Sequence, residues 1–147
     1  MRRLCVLALN PTDSVTEGFL PAAGRLGLDV ALLTDRPDAH RRAYAKAGTP
    51  LSLPPLRLVE CDVRDFRDVV GRLSRLGAEG WRPDAVFTNS DHLQAQAALA
   101  ADYFGLPGKD WKAAYRAKNK AELRRALAAA GGDAVRAAEL LPGDDPA

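Results

Sequence analysis

The chain is poor in the residues that carry redox, metal and nucleophilic chemistry. It has two cysteines, Cys5 and Cys61, and two histidines, His40 and His92. The cysteines form no Cys-x-x-Cys pair, and no histidine stands at metal-ligand spacing from either, so the common cysteine-based metal signatures are missing. Cys5 lies inside one apolar run and Cys61 ends another, which reads as two core thiols of a reducing cytoplasm. Aromatic residues make up 6% of the chain and the net charge is only +2. The densest basic stretch, Lys112 to Arg125, is accompanied by Trp111 and Tyr115 alone, too little stacking surface for a nucleic-acid partner. No apolar run is long enough to cross a membrane. The apolar run after Arg2-Arg3 is stopped by Asn10-Pro11, too soon for a signal peptide.

Several catalytic signatures are also missing. No Gly-x-Gly-x-x-Gly follows the first strand; Gly24 and Gly27 fall at the far end of a helix, where they cannot cradle a pyrophosphate. There is no Walker-type loop and no Gly-x-Ser-x-Gly elbow. Ser90 follows a strand and opens a helix, but in the context Thr-Asn-Ser-Asp-His it reads as a cap. Ser90, Asp91 and His92 are adjacent and point in different directions, so they form no triad among themselves. Asp62 and Asp65 read as caps and surface charge rather than metal ligands. His40, flanked by Arg41 and Arg42, reads as solvent-facing. No catalytic residue and no metal ligand is assigned.

What is present is a fourfold alternation of strand and helix. Leu4 to Leu9, Asp29 to Thr34, Arg57 to Cys61 and Asp84 to Thr88 read as strands. Between them, Ser14-x-x-Glu17 starts a helix that Pro21 forces to begin nearer Leu20 or to kink. Asp38 caps a short helix through Ala47, and Asp62 or Asp65 opens one with Phe66, Val69, Val70, Leu73 and Leu76 on one side. Ser90 or Asp91 then caps a helix with Leu93, Ala97, Ala100, Ala101 and Phe104 inward. Lys120 to Ala130 reads as a further helix with Leu123, Ala126, Leu127 and Ala130 inward, and Ala134 to Leu140 as a fifth strand. Such alternation gives an α/β fold: an open, mainly parallel sheet of order 3-2-1-4 with helices on both faces. Residues 1–110 read as a Rossmann-like domain and 111–147 as linker helices opening a second domain.

Ligands of open α/β sheets bind beyond the carboxyl ends of the strands, where strand order reverses. Here that is the crevice between the first and fourth strands. Asn10, Thr12, Asn89, Ser90 and Asp91 are the candidate substrate-binding residues. A second signal lies at Lys118-Asn119-Lys120. Asn119 can cap the last helix, with Glu122 completing a variant capping box. Lys120 then falls in the first turn, facing the positive end of the helix dipole, an unfavourable place for a cation unless an anion is near. Phosphate is the common biological anion, so Lys120 is the candidate nucleotide-binding residue.

Three segments together resemble the N-terminal part of ATP-grasp enzymes: Asp84-Ala-Val-Phe-Thr-Asn-Ser-Asp91, the stretch from Ala98 through Tyr103-Phe-Gly-Leu-Pro-Gly108, and Lys118-Asn-Lys120 through Ala130-Gly131. In that family a Rossmann-like domain ends in a helix and a Gly-Leu-Pro-Gly-like turn, and an Asp/Asn-Lys pair opens a helix finishing in Ala-Gly. The resemblance implies that Lys120 contacts nucleotide. It implies a parent that joins a carboxylate to an amine through an acyl phosphate, most like the amino-acid, peptide and siderophore ligases, with ATP and Mg as cofactors. The glycine-rich loop, second lysine and magnesium ligands of the family would follow Gly131. The chain therefore reads as an N-terminal piece, inactive and without bound cofactor by itself, whose partners are an ATP-grasp domain and a small carboxylate or amine substrate. Uncovered apolar surface at Trp111, Tyr115 and the last helix predicts a homodimer. Two alternatives stand beside this: a non-catalytic interaction or regulatory module of the same fold, and a small standalone enzyme using His92.

Overall fold

The computed structural model describes residues 1–46, 55–132 and 142–143. Four parallel strands make one sheet: β1 (Arg3–Leu7), β2 (Asp29–Thr34), β3 (Leu56–Glu60) and β4 (Ala85–Phe87), in the order β3-β2-β1-β4. Cys5 stands opposite Ala31 on β2 and Val86 on β4. The expected strand order is the observed one. β2 has the expected bounds, while the other three strands are shifted or shortened by a residue or two, with Ala8, Leu9, Cys61 and Thr88 lying beyond the strand ends.

Side chains alternate across the pleat and divide the core in two. Cys5, Leu7, Ala31 and Leu33 point to one face, where they meet Val69, Leu73, Leu93, Ala97 and Ala100. Val6, Ala8, Val30 and Leu32 point to the other, against Val15, Leu20 and Ala23. The first layer is supplied by helices α3 (Phe66–Ala78) and α4 (Gln94–Tyr103), the second by α1 (Leu20–Arg25). A sheet apolar on both faces needs this double covering, which is why β1 and β2 read as unbroken apolar runs. Trp81 is buried beneath the first layer and its indole N–H donates to Asp29 at 2.9 Å. Both cysteines are free and buried.

The helices depart from expectation in instructive ways. A π-helical segment, Ser14–Phe19, leads directly into α1. Pro21 sits at the head of α1, and the Leu20 N–H reaches back to the Val15 carbonyl. The wide turn absorbs the proline, which has no N–H to give and would crowd a regular helix. Ser14 lies inside this segment and caps nothing; Thr12 and Asn89 bond its hydroxyl instead. Asp38 likewise lies within helix α2 (Pro37–Lys46) rather than before it, and its carboxylate pairs with Arg41. Asp65, of the two aspartates proposed, is the cap of α3. Gly77 is inside α3, and the helix ends at Ala78, two residues before Gly80, whose φ of 86° lets the Trp81 N–H return to the Leu76 carbonyl. The expected strand at Ala134 to Leu140, and Ala47, fall outside the described residues.

Helices α5 (Trp111–Lys118) and α6 (Lys120–Ala129) form a hairpin in which α5 lies on α4 and α6 lies on α5. The sequence reading placed linker helices from residue 111 onward but gave α5 no bounds. Its cap is Asp110, which accepts from the Lys112 N–H at 2.8 Å. The reading that Leu127 and Ala130 face inward is corrected: Leu123 and Ala126 are half-buried, but Leu127 is 47% exposed and Ala130 is exposed. Among the described residues α6 packs mainly on α5, and so has a narrow strip to bury. No helix among the described residues is long and apolar enough to cross a membrane.

Candidate functional site

The crevice lies where β1 and β4 end side by side. Asn10 and Thr12 leave β1, Thr88 to Asp91 leave β4, and hydrogen bonds lace the two loops together. Thr12 Oγ1 lies 3.0 Å from Ser14 Oγ, and Asn89 Nδ2 donates to that same hydroxyl at 3.1 Å. Asn10 Oδ1 accepts from the Arg36 guanidinium at 2.9 Å. Asn10, Thr12, Asn89 and Asp91 are exposed, whereas Ser90 is half-buried and Thr88 buried. The structure thus brings the candidate substrate-binding residues to one edge of the sheet, with Asn10 and Asn89 already holding protein partners.

Ser90 acts as the cap it was read to be. Its hydroxyl accepts from the His92 N–H at 3.3 Å, opening the 3₁₀ turn Asp91–Leu93 that leads into α4. Its own N–H is taken by Thr88 Oγ1 at 3.1 Å. Below it, Gln94 Nε2 bridges the Thr88 and Ser90 carbonyls at 3.2 and 3.4 Å, and Gln94 Oε1 accepts from Lys109 Nζ at 2.8 Å. This Lys109–Gln94 strut ties the segment before α5 to the crevice loop. The sequence reading missed it; only the return of the Gly-Leu-Pro-Gly segment over α4 brings the two together, and neither residue announces the other.

Lys120 occupies the first position of α6 and is exposed. Asn119 Oδ1 accepts from the Ala121 and Glu122 N–H groups at 3.1 and 3.2 Å, as a cap should. The reciprocal half of the capping box does not form. The Asn119 N–H instead closes α5 through the Tyr115 carbonyl at 3.0 Å, and Glu122 pairs with Arg125. Asn119 is therefore the last cap of α5 and the first of α6. No ion pair among the described residues engages Lys120. A cleft of about 510 Å³ is lined by Lys120, Lys118 and Tyr115 on one wall and by Asp91, His92 and Gln96 on the other. Asp91 also borders a neighbouring cavity of about 380 Å³ with Lys109 and Lys118. Asp91 thus links the crevice to the Lys120 cleft.

His40 overturns the reading that placed it in solvent. It is fully buried, with Nδ1 2.6 Å from the Tyr44 hydroxyl and Nε2 3.2 Å from the Leu9 carbonyl. A carbonyl only accepts, so Nε2 carries the proton and Nδ1 accepts from Tyr44. Burial holds the His40 pKa below its usual range, against the opposing pull of the Leu9 bond and of Asp35. Burial likewise pushes the Tyr44 and Cys5 pKa values up. Cys61 is raised to about 12 by burial and by Asp68. Neither thiol is primed as a nucleophile. Among the described residues no group of three His, Cys, Asp or Glu side chains gathers to hold a metal ion.

No protein-family model and no curated protein matches the sequence. Solved structures do. The chain is similar to an L-amino acid ligase from Bacillus licheniformis, at 22% identity and a TM-score of 0.65, over 89% of this chain and 30% of that one. It is similar also to a phosphoribosylglycinamide synthetase from Anaerococcus prevotii, at 20% identity and a TM-score of 0.64, over 88% of this chain and 29% of that one. The chain thus spans less than a third of the length of these matched proteins. Likeness at this identity is a statement about architecture alone: the chain shares its fold with part of each of these two enzymes.

Proposed function

We propose that the chain is the N-terminal, substrate- and nucleotide-positioning domain of an ATP-dependent carboxylate–amine ligase. The observation that carries this reading is the Lys120 cleft: an ammonium with no ion-pair partner among the described residues, at the first position of a capped helix, sharing walls with the crevice residue Asp91. A cation there sits against the positive helix end and is best satisfied by a polyanion. The residues fit one edge of a nucleotide site rather than a whole one, and no magnesium ligand is assigned to this chain. In the reaction class, ATP gives its terminal phosphoryl group to the substrate carboxylate, and the amine then displaces phosphate from the acyl phosphate. This chain's share is to orient the small carboxylate or amine through Asn10, Thr12, Asn89, Ser90 and Asp91, and to meet the nucleotide through Lys120. The rest of the ligase is the partner on the α5–α6 side, in the cytoplasm.

Calorimetric titration with Mg-ATP tests the shared site. The chain by itself is expected to bind weakly, and the polypeptide extended by an ATP-grasp domain to bind at least tenfold more tightly. Equal, tight binding by the chain alone would sink the reading. A second reading, a non-catalytic interaction module of the same fold, is favoured by the apolar side chains that the α5–α6 hairpin shows to solvent, Tyr115 at 52% and Leu127 at 47%. Failure of the extended polypeptide to turn over ATP with any amine and carboxylate would select it.

A further inference from the structure

The first crevice loop is held from behind by a buried histidine. The Leu9 carbonyl, two residues past β1, accepts from His40 Nε2 at 3.2 Å and from Thr34 Oγ1 at 3.3 Å. Leu9 and Asn10 share a peptide plane, so whatever fixes the Leu9 carbonyl also fixes the direction in which the Asn10 N–H points. Arg36 grips the Asn10 side chain from the same direction, and the Arg36 N–H is itself held by Thr34 Oγ1 at 3.1 Å. His40 and Tyr44 are one turn apart on α2, and their rings lie 5.6 Å apart. The clamp therefore runs from Tyr44 through the imidazole to the β1 loop.

We propose that His40 is a pH-sensitive positioning residue: neutral, it sets the Leu9–Asn10 peptide at the mouth of the crevice, and protonation, which reverses the Tyr44 bond and puts a charge on a buried ring, shifts that peptide. The neutral Nε2–H tautomer satisfies both neighbours at once: it accepts from the Tyr44 hydroxyl and donates to Leu9. A proton added at Nδ1 removes the acceptor. The Tyr44 hydroxyl must then turn round to accept, and its own proton loses the only partner it has among the described residues. A charged ring is also left without solvent. The charged groups around it come from two places: Asp35, at the end of β2, favours the charged ring, and Arg36, at the start of α2, is engaged with Asn10. Among the described residues no carboxylate is hydrogen-bonded to the ring, so the charged ring keeps its bond to Leu9 but must settle anew against Tyr44, and the Leu9 peptide moves with it. This inference goes beyond the ligase reading, since it concerns the loop whether or not the crevice holds a ligand.

Nuclear magnetic resonance on the intact chain tests it directly, without a ligand. Long-range nitrogen–proton spectra report the ring tautomer and its titration, and backbone amide shifts report the loop. The expected result is an Nε2–H tautomer near neutral pH and an Asn10 amide that titrates with the ring's own midpoint, below the usual histidine value of 6.5. Tyr44→Phe removes the bond that favours the neutral ring, so both midpoints should rise together. His40→Gln keeps a donor for Leu9 and cannot titrate, so the Asn10 amide should hold its neutral-pH position throughout. An Nδ1–H tautomer, an Asn10 midpoint that stays put in Tyr44→Phe, or an Asn10 amide that still titrates in His40→Gln would overturn the proposal. The Gly80 amide, at the opposite end of the sheet, is the control and should follow neither midpoint.

Discussion

Gly108 lies so close to Ala101 that a Cβ built on the glycine would stand 2.8 Å from the alanine methyl. The contact seats the Gly-Leu-Pro-Gly segment on α4 and carries Lys109 onto Gln94. Gly108→Ala should therefore destabilise the fold by about 1–3 kcal/mol, the usual cost of overpacking. Ala101→Gly alone loses about 1 kcal/mol of helix propensity. Combined, the two should be less damaging than their sum, and urea denaturation of all four proteins reads the coupling.

Asn119→Ala removes the side-chain acceptor of two N–H groups at the head of α6. The expected loss is about 1 kcal/mol, with Asn119→Ser close to the parent and Asn119→Gly only slightly weaker. Because α6 packs mainly on α5 among the described residues, the loss should show as fraying of α6 in amide exchange rather than as a lower global midpoint.

Lys120→Ala probes the proposed nucleotide contact without touching the core. Its side chain is exposed and has no ion-pair partner among the described residues, so thermal stability should stay within about 0.5 kcal/mol of the parent. In the extended ligase, kcat/KM for ATP should fall by tenfold or more, about 1.4 kcal/mol of transition-state stabilisation. Equal activity in parent and variant would remove Lys120 from the site. His92→Ala, on the opposite wall, should leave turnover unchanged if the standalone-enzyme alternative is wrong.

Stability should depend on pH in two steps with the same sign. His40 has a folded pKa below its unfolded value, so the unfolded chain takes up the proton more readily. The contribution of this group is whole above 6.5 and is lost as pH falls from there through the folded pKa. Asp68 is also lowered, first by the hydrogen bond from the Asp62 N–H, so its contribution is whole above 3.8 and is lost at more acid pH. Denaturation midpoints between pH 7.5 and 5 should fall for the parent and flatten for His40→Gln.

Tyr115 and Leu127 are the large apolar residues that the hairpin leaves exposed. Surface of this kind favours association. Light scattering of the chain by itself at high concentration should show a dimer, and Tyr115→Glu with Leu127→Glu should return it to monomer. A parent that stays monomeric would remove the homodimer from the proposal.

The strand order was legible because unbroken apolar runs bounded by turn residues admit few arrangements once right-handed crossovers are required. The cap Asn119 was legible for a local reason, a short polar side chain directly before its helix, while Asp65 and Ser90 were each one of two such candidates between which the structure decides. His40 was not. Its neighbours Arg41 and Arg42 suggested solvent, but a helix turns about 100° per residue, and the residue that shares its face is Tyr44, four positions on. Helix α5 was given no bounds, although it is at least as amphipathic as α6 and, like α6, buries no residue fully. The Lys109–Gln94 strut depends on a chain reversal, which no spacing rule encodes.

The doubly employed Asn119 has a mechanical meaning. With one helix ending and the next beginning on the same residue, the joint between them has only two soft torsions, currently at −92° and 104°. α6 is then a stiff rod about 15 Å long hung on a single pivot. A swing of about 10° would carry its far end roughly 2.5 Å sideways while moving its first turn by a small fraction of that. Lys120 stands next to the pivot, so whatever docks on the outer end of the rod can drag that end without displacing the ammonium from the cleft.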